Sequence, residues 1–509
     1  MTLHLLLFAL LFAVLMLLHA PLLRLPYFWD EAGYYVPVAR DLYLTGSPIP
    51  HSTVSNAHPP LVMAWLALAW RIFGFSTLVT RTAMLALAAF SLLGLFRLAR
   101  CAANRQVATA VMAITAIYPV FFTQSSLAQV DLPAAGFTFW ALAAYIEDRP
   151  WPSLIWFSLA SLAKETAILA PLALLAWEFV VPAVRSWRTE FAPPSGRKTS
   201  KLHLLLPVLP LACWFAYHHA KTGFILGNPD FFRYNVATTL NPLRIPIAFA
   251  LRLWQAFGYF GLYLLTLIAL LAMLRPPRVD NAMSRPRISF WIQAAFAAIV
   301  LAYLLFMSAV GGAVLARYLL PVVPLIILLF VATLWRRLRH WKLLVAAVAV
   351  AFAAGLFTNP PYGFSLEDNL AYRDFVVMHA QASRFMAMSY ANSTVLTAWP
   401  ASDELTRPWL GYVARPVRVV RIDDFTLAQI DSAFAARNRF DAALVFSTKY
   451  QPPHNPFDDW GSWQRIKETY FGYHRDLLPE QIAQRLGGTI AFKKETNGLW
   501  VAVIALDNK

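Results

Sequence analysis

Long apolar runs separated by short basic loops fill residues 1–358, and a shorter, strand-like period takes over after them. Residues 3–23 contain no Asp, Glu, Lys or Arg. A helix needs about 20 apolar residues to cross a bilayer, so this run predicts a first transmembrane helix. It is too long for a signal-peptide core, and no small-residue cleavage site of the usual kind follows it. Comparable runs at 80–99, 107–122, 127–147, 151–163, 166–183, 203–219, 257–274, 288–309, 317–334 and 343–357 bring the expected spans to eleven. The stretches 60–74 and 244–256 are expected to lie in the membrane interface. Pro59-Pro60 opens the first of them, and Arg71 and Gly74 close it.

Beyond residue 358 the apolar segments shorten to strand length: Thr394–Ala398, 417–420, Ala442–Phe446, 489–492 and 500–504. Helical periodicity fills 366–390, 426–438 and 479–486. The fold class expected is therefore a polytopic α-helical membrane domain over 1–358, followed by a soluble α/β domain over 359–509. The tail holds no Gly-rich phosphate loop, metal-ligand spacing or repeat, so supporting the core or recognising an acceptor is its default role.

Composition agrees. Of 509 residues, 59% are apolar and 14% charged, against roughly 45–50% and 25% in soluble domains. The net charge of +16 belongs wholly to the membrane part. Residues 359–509 balance 16 basic against 16 acidic groups, whereas residues 1–358 carry 27 basic and 11 acidic ones. Those basic groups cluster in four loops: Arg97, Arg100 and Arg105; Arg185, Arg188, Arg197, Lys198 and Lys201; Arg275, Arg278, Arg285 and Arg287; and Arg336, Arg337, Arg339 and Lys342. Short basic loops mark the cytoplasmic side of a membrane protein, so the charge reports topology and argues against nucleic acid as a partner. With all four inside, 151–183 crosses twice, turning at Lys164-Glu165-Thr166, and the tail lies outside. Cys101 and Cys213 form neither a disulfide framework nor a zinc site and are read as packing residues.

Acidic residues are scarce enough in the membrane part that each asks for a reason. Glu147, Asp148, Glu190 and Asp280 fall in the basic loops, and Glu178 lies near them. The other six, Asp30, Glu31, Asp41, Asp131, Glu165 and Asp230, fall on the outer face in this topology. Asp30-Glu31 follows the first span among aromatic residues (Leu25-Pro-Tyr-Phe-Trp-Asp-Glu-Ala-Gly-Tyr-Tyr35). Adjacent carboxylates in an apolar setting repel one another unless a cation or a reacting group compensates; an acidic helix start is the plain alternative. His58-Pro59-Pro60-Leu61 closes the same outer loop, 24–79. Asp131 stands at the outer start of a span, Lys164-Glu165 at an outer turn, and Arg317-Tyr318 at the start of another span. An arginine placed there either snorkels to headgroups or binds phosphate through its planar fork. Arg81 is a weaker instance of the same choice. Carboxylates and cations from five separate stretches thus meet at one membrane face, the mixed set that a sugar joined to a lipid phosphate requires.

The order of these motifs resembles the GT-C membrane glycosyltransferases, in the branch of the protein O-mannosyltransferases and the lipid A aminoarabinose transferases. The resemblance runs over about residues 20–335, through Asp30-Glu31, His58-Pro59-Pro60-Leu61, Arg81, Asp131-Leu132-Pro133, Lys164-Glu165 and Arg317-Tyr318-Leu319-Leu320-Pro321. It implies inverting transfer of a sugar from a polyprenyl-phosphate donor to a lipid, glycan or protein acceptor at the outer face of a bacterial inner membrane. By the same resemblance Asp30 is the base, with Glu31 beside it and Asp131 orienting sugar or acceptor. His58, Arg81, Lys164, Glu165, Arg317 and Tyr318 then line the donor. His58 replaces the Glu-Lys pair usual in aminoarabinose transferases, which points away from that sugar. A divalent metal between Asp30 and Asp131 is allowed but not required. A transporter or lipid flippase is the competing class, though transporters tend to gather charges at mid-membrane in repeated, broken helices.

Overall fold

Each apolar run becomes a helix in the computed structural model, which describes residues 2–185, 188–191, 193–194, 196–280, 283–452 and 460–506. The chain divides into two compact units. The first comprises Met1–Ala20, Val38–Gly74 and Thr80–Leu356. Its helices include Thr2–Leu18, Leu61–Phe73, Thr77–Ala102, Arg105–Ile117, Asp131–Ile146, Pro150–Ala163, Leu169–Arg185, Val208–Thr222, Phe290–Ala309, Val323–Arg337 and Trp341–Phe357. Among the described residues, three stretches are by themselves long and apolar enough to cross a membrane: Thr77–Ala102, Arg244–Met273 and Phe290–Ala309. In the second of these, the expected interfacial helix (Arg244–Phe257) runs into Leu262–Met273 through a turn where Phe260 takes φ 47°.

Local signals set these boundaries. Asn104 caps the Arg105–Ile117 helix, its side chain accepting from Val107 N at 3.0 Å. Pro150 opens the helix that bears its name, where a missing N–H costs nothing. Close packing follows from small residues. A Cβ on Gly136 would lie 1.9 Å from Ser91 Oγ, and one on Gly94 would lie 2.6 Å from the Trp140 ring. The helices Thr77–Ala102 and Asp131–Ile146 therefore approach more closely than bulkier residues would permit.

The basic loops converge at one end of this unit. Arg97 pairs with Glu147, and Arg197 stands 3.6 Å from Asp148. Arg287 lies 2.9 Å from Glu190. Arg285 donates to the Trp335 carbonyl at 2.6 Å, and a hairpin, β1 (Val279–Asp280) and β2 (Met283–Ser284), rises between these arginines. The side chain of Arg185, counted with the second basic loop, lies outside the described residues. Cys101 donates to Glu147 Oε1 at 3.0 Å. Cys213 is exposed, not packed as expected.

The second unit comprises Pro21–Pro37, Phe75–Val79 and Phe357–Lys509. Its sheet contains β3 (Thr394–Ala398), β4 (Arg418–Ile422), β5 (Ala442–Phe446), β6 (Gly488–Thr496) and β7 (Leu499–Leu506) in the order β4-β3-β5-β7-β6. β3 runs parallel to β4 and β5, while β7 is antiparallel to β5 and β6. All five strand segments expected from the pattern are present, β6 and β7 extending beyond it. The apolar strands β5 and β7 are buried along nearly their whole length, as central strands should be. Helices Ala371–Ser389, Leu427–Ala435 and Pro479–Leu486 answer the helical periodicity, and Gly461–Phe471 is an additional one. The early segment docks here through its aromatic residues. Tyr27 N donates to Leu410 O at 3.1 Å, Tyr412 donates to Tyr27 O at 3.0 Å, and Phe28 meets Phe375 edge-on at 5.5 Å.

Candidate active site

Asp131 opens its helix and is 2% exposed. A carboxylate that deep persists only if cations compensate for lost water, and two do. The Pro150–Ala163 helix ends at Lys164, whose extended backbone (φ −150°, ψ 130°) turns the chain into the short 3-10 segment Glu165–Ile168. There Lys164 Nζ donates to Asp131 Oδ1. From the opposite direction the 3-10 turn Ala316–Leu319 delivers Arg317, 2% exposed, with Nε 3.2 Å from Asp131 Oδ2. Arg317 Nη1 also donates to Gln129 Oε1 at 2.6 Å.

Tyr318 is the hub of the remaining charge. Lys164 Nζ lies 3.9 Å above its ring, and the guanidinium carbons of Arg317 and Arg252 each lie 5.6 Å away. Three cations thus surround one aromatic ring, and two of them pair with one carboxylate, leaving a surplus of positive charge in a nearly dry place. Such a surplus suits an anion.

Lys164 and Glu165 do not pair with each other, as a self-neutralising turn would have it. Glu165 Oε2 instead meets His58 Nδ1 at 3.0 Å, and the His58 ring stands edge-on to Phe231 at 5.5 Å. Nor does Arg317 snorkel. Arg81 is buried, with Nη1 donating to the Ser126 carbonyl at 3.0 Å. Two other acidic residues serve local structure. Asp41 Oδ2 accepts from His51 N and Ser52 N, both at 2.7 Å, and Asp230 forms an exposed pair with Arg233 at 3.0 Å.

The sequence reading missed Arg244, Arg252, Gln255 and Gln129. Arg244 Nη2 donates to the Gly311 and Gly312 carbonyls at 2.8 and 3.1 Å. Arg252 Nη1 donates to Leu315 O and to Gln255 Oε1, both at 2.7 Å, and Gln255 Nε2 donates to Val314 O at 2.8 Å. These side chains grip the irregular segment immediately before Arg317 and Tyr318. Their signal was available: two arginines eight residues apart, hence on one helix face, in an otherwise apolar helix. Arg252 is 0% exposed. The arginines turn inward, which is not how a helix lying in the headgroups would place them.

Asp30 and Glu31 belong to the other unit. Glu31 is 0% exposed, and its Oε1 accepts from Phe28 N at 2.7 Å. Asp30, half-buried, begins the one-turn π-helix Glu31–Tyr35. Trp29 just before it takes φ 46°, which is uncommon for a large L-residue and is the kind of strain that collects at functional sites. Trp29 meets Trp399 at 4.9 Å, and a Cβ on Gly33 would stand 2.8 Å from the Trp399 ring. A glycine is needed there. The two carboxylates therefore differ: Glu31 is fully buried and braces the turn, whereas Asp30 is half-buried. Among the described residues, no three His, Cys, Asp or Glu side chains come together as a metal cluster.

Residues 57–214 match a family model described as dolichyl-phosphate-mannose-protein mannosyltransferase. The whole chain superposes on the crystal structure of ArnT from Cupriavidus metallidurans bound to undecaprenyl phosphate, covering 98% of this chain and 97% of that one with a TM-score of 0.57 at 13% identity. The fold is that of ArnT. The apo structure of the same protein gives a TM-score of 0.53 at 14% identity, covering 97% of each chain. No curated protein matches the sequence. The resemblance to GT-C glycosyltransferases therefore holds, with the ArnT likeness carrying the fold and the mannosyltransferase match covering His58, Arg81, Asp131, Lys164 and Glu165. Asp30, Glu31 and Arg317 lie outside the matched residues.

Proposed function

We propose that the protein is an inverting glycosyltransferase that moves a sugar from a polyprenyl-phosphate donor to a lipid, glycan or protein acceptor at the outer face of a bacterial inner membrane. The observation that carries this reading is the buried set in which Lys164 and Arg317 pair with Asp131 and, together with Arg252, ring Tyr318. It supplies fixed cations for a lipid phosphate, and Asp131 keeps their mutual repulsion in check. ArnT is the fold partner whose structure holds undecaprenyl phosphate.

In the reaction, an acceptor hydroxyl oxygen bonds to the anomeric carbon while the bond from that carbon to the phosphate oxygen breaks. The bonding pair leaves with the polyprenyl phosphate, whose gathering negative charge Arg317 and Lys164 stabilise. The hydroxyl proton passes to the Asp30 carboxylate as general base. Glu31 holds the turn that presents Asp30. A phosphate leaves without a proton, so no second carboxylic acid is needed, and single displacement inverts the anomeric centre. The basic end described above supports placing the four basic loops in the cytoplasm and the α/β unit outside.

The test follows free polyprenyl phosphate released by purified protein in lipid from a panel of polyprenyl-phosphate sugars. Asp30→Asn should slow release by about 10²–10⁴-fold, and Arg317→Gln by about 10²–10³-fold. Release indifferent to both substitutions would leave an enzyme with a different site. A folded protein that releases nothing from any donor, with a membrane extract supplied as acceptor, would favour transport or flipping.

A further inference from the structure

The basic end of the first unit has a feature that the glycosyl-transfer reading does not use. An open cavity of ≈ 320 Å³ lies there, lined by Asn104, Arg105, Gln106, Asp280, Arg285 and Trp335. A crevice of ≈ 30 Å³ shares Asn104 and Trp335 with it and is otherwise walled by Ala103, Pro286, Arg287, Ile288 and Ala332. One side of the feature is thus polar and cationic, and the other is mostly apolar.

Its charges are unevenly matched. Asp280 Oδ2 lies 2.5 Å from Arg285 Nε, and Asp280 Oδ1 lies 3.8 Å from Arg278. Arg287 is matched by Glu190. Arg105 is exposed, and its guanidinium has no hydrogen-bond or ion-pair partner among the described residues. Arg275, Arg336 and Arg337 add positive charge close by: Arg278 N donates to Arg336 O, and Arg337 Nη1 donates to Met273 O at 3.0 Å. Asn104 uses its side-chain oxygen as the helix cap, while its buried amide nitrogen has no partner among the described residues. Trp335 is pinned from two sides. Its Nε1 donates to Gln106 Oε1 at 3.3 Å, and Arg285 lies 5.0 Å over its ring. An indole held in that manner beside arginines is the usual furniture of a membrane interface.

We propose that this cavity binds the phosphodiester headgroup of an anionic phospholipid. Arg105 and Arg285 meet the phosphate, the Asn104 amide adds a neutral donor nearby, and the crevice along Ala103, Ile288 and Ala332 takes the first apolar part of the lipid. Basic pockets between membrane helices recognise anionic headgroups in this way. A free phosphate offers the arginines the same charge but gains nothing from the apolar crevice, so it is held too weakly to be retained or to raise the melting temperature.

The experiment uses the full chain, delipidated in detergent. Retained lipid is read by native mass spectrometry, and melting is followed with added phosphatidylglycerol, phosphatidylcholine or inorganic phosphate. Phosphatidylglycerol should be retained and should raise the melting temperature, and the other two should do neither. Arg105→Gln removes a side chain without a partner, so folding is not at stake; it should cut phosphatidylglycerol retention at least fivefold. Arg285→Gln should do the same, and Arg339→Gln, an equal charge change at a residue that does not line the cavity, should not. Equal retention by Arg105→Gln and the unmodified chain would overturn the proposal. So would equal protection by phosphatidylcholine or inorganic phosphate, or an equal loss in Arg339→Gln, which would mean diffuse attraction only.

Discussion

Asp131 takes a large electrostatic risk, because Lys164 and Arg317 reach it from separate turns of the chain in a setting that is almost free of water. A buried ion group is a weak source of stability while intact, but breaking it leaves uncompensated charge. Asp131→Asn should therefore destabilise the folded protein by about 3–5 kcal/mol, read as thermal unfolding in detergent micelles. Asp131→Asn combined with Lys164→Gln should cost less than the two single changes together, since one orphaned cation goes with its partner. Single positions were legible from scarcity: a charge in an apolar run has few reasons to be there. Partnership was not. Lys164 and Glu165 are neighbours in sequence, yet they pair with Asp131 and His58, because a 3-10 turn points the two side chains to different partners.

Elements were read well wherever a hydrophobic period was long, and less well wherever a helix is held by polar groups. The run 244–256 shows the difference. Its amphipathic pattern is real, but its arginines face protein carbonyls at 308, 311, 312 and 315. A backbone segment without regular structure leaves carbonyls in want of donors, and long guanidinium side chains supply several at once. Pattern alone cannot distinguish that partner from a lipid headgroup. The close contact between Thr77–Ala102 and Asp131–Ile146 makes an element-scale prediction. Gly136→Val sets a side chain against Ser91 Oγ and should cost about 1–3 kcal/mol through overpacking, measured by unfolding. Adding Ser91→Gly should recover a large part of that loss; no recovery would mean that the glycine is needed for some other reason.

On the scale of the whole molecule, charge asymmetry sets the expected orientation: 27 basic against 11 acidic groups over residues 1–358, and parity after them. In a chain lacking Cys101 and Cys213, Arg339→Cys should be shielded from a membrane-impermeant maleimide in intact cells, whereas Gly461→Cys should react. The opposite labelling would invert the topology and the face assigned to the chemistry. The assembly of each unit went beyond what the sequence could give. Residues 21–37 precede most of the membrane helices, yet they fold with a sheet built from residues 394–506. Packing of Phe28 on Phe375 and of Trp29 on Trp399, with the Tyr27 N–H donated to the Leu410 carbonyl, brings them there.

By itself the sequence determined what depends on local composition and order: long apolar helices, the α/β tail, the clustering of the basic loops, and a motif order that resembles the lipid-linked glycosyltransferases. Solvent transfer and backbone periodicity act residue by residue, so they can be read along a line. Only the tertiary structure decided which charge neutralises which, that Glu31 braces the turn beside Asp30, and that Arg244, Arg252 and Gln255 build the support for Arg317 and Tyr318. Those outcomes depend on distances between groups far apart in the chain, and the energy of a buried charge is set by the few ångströms separating it from its partner.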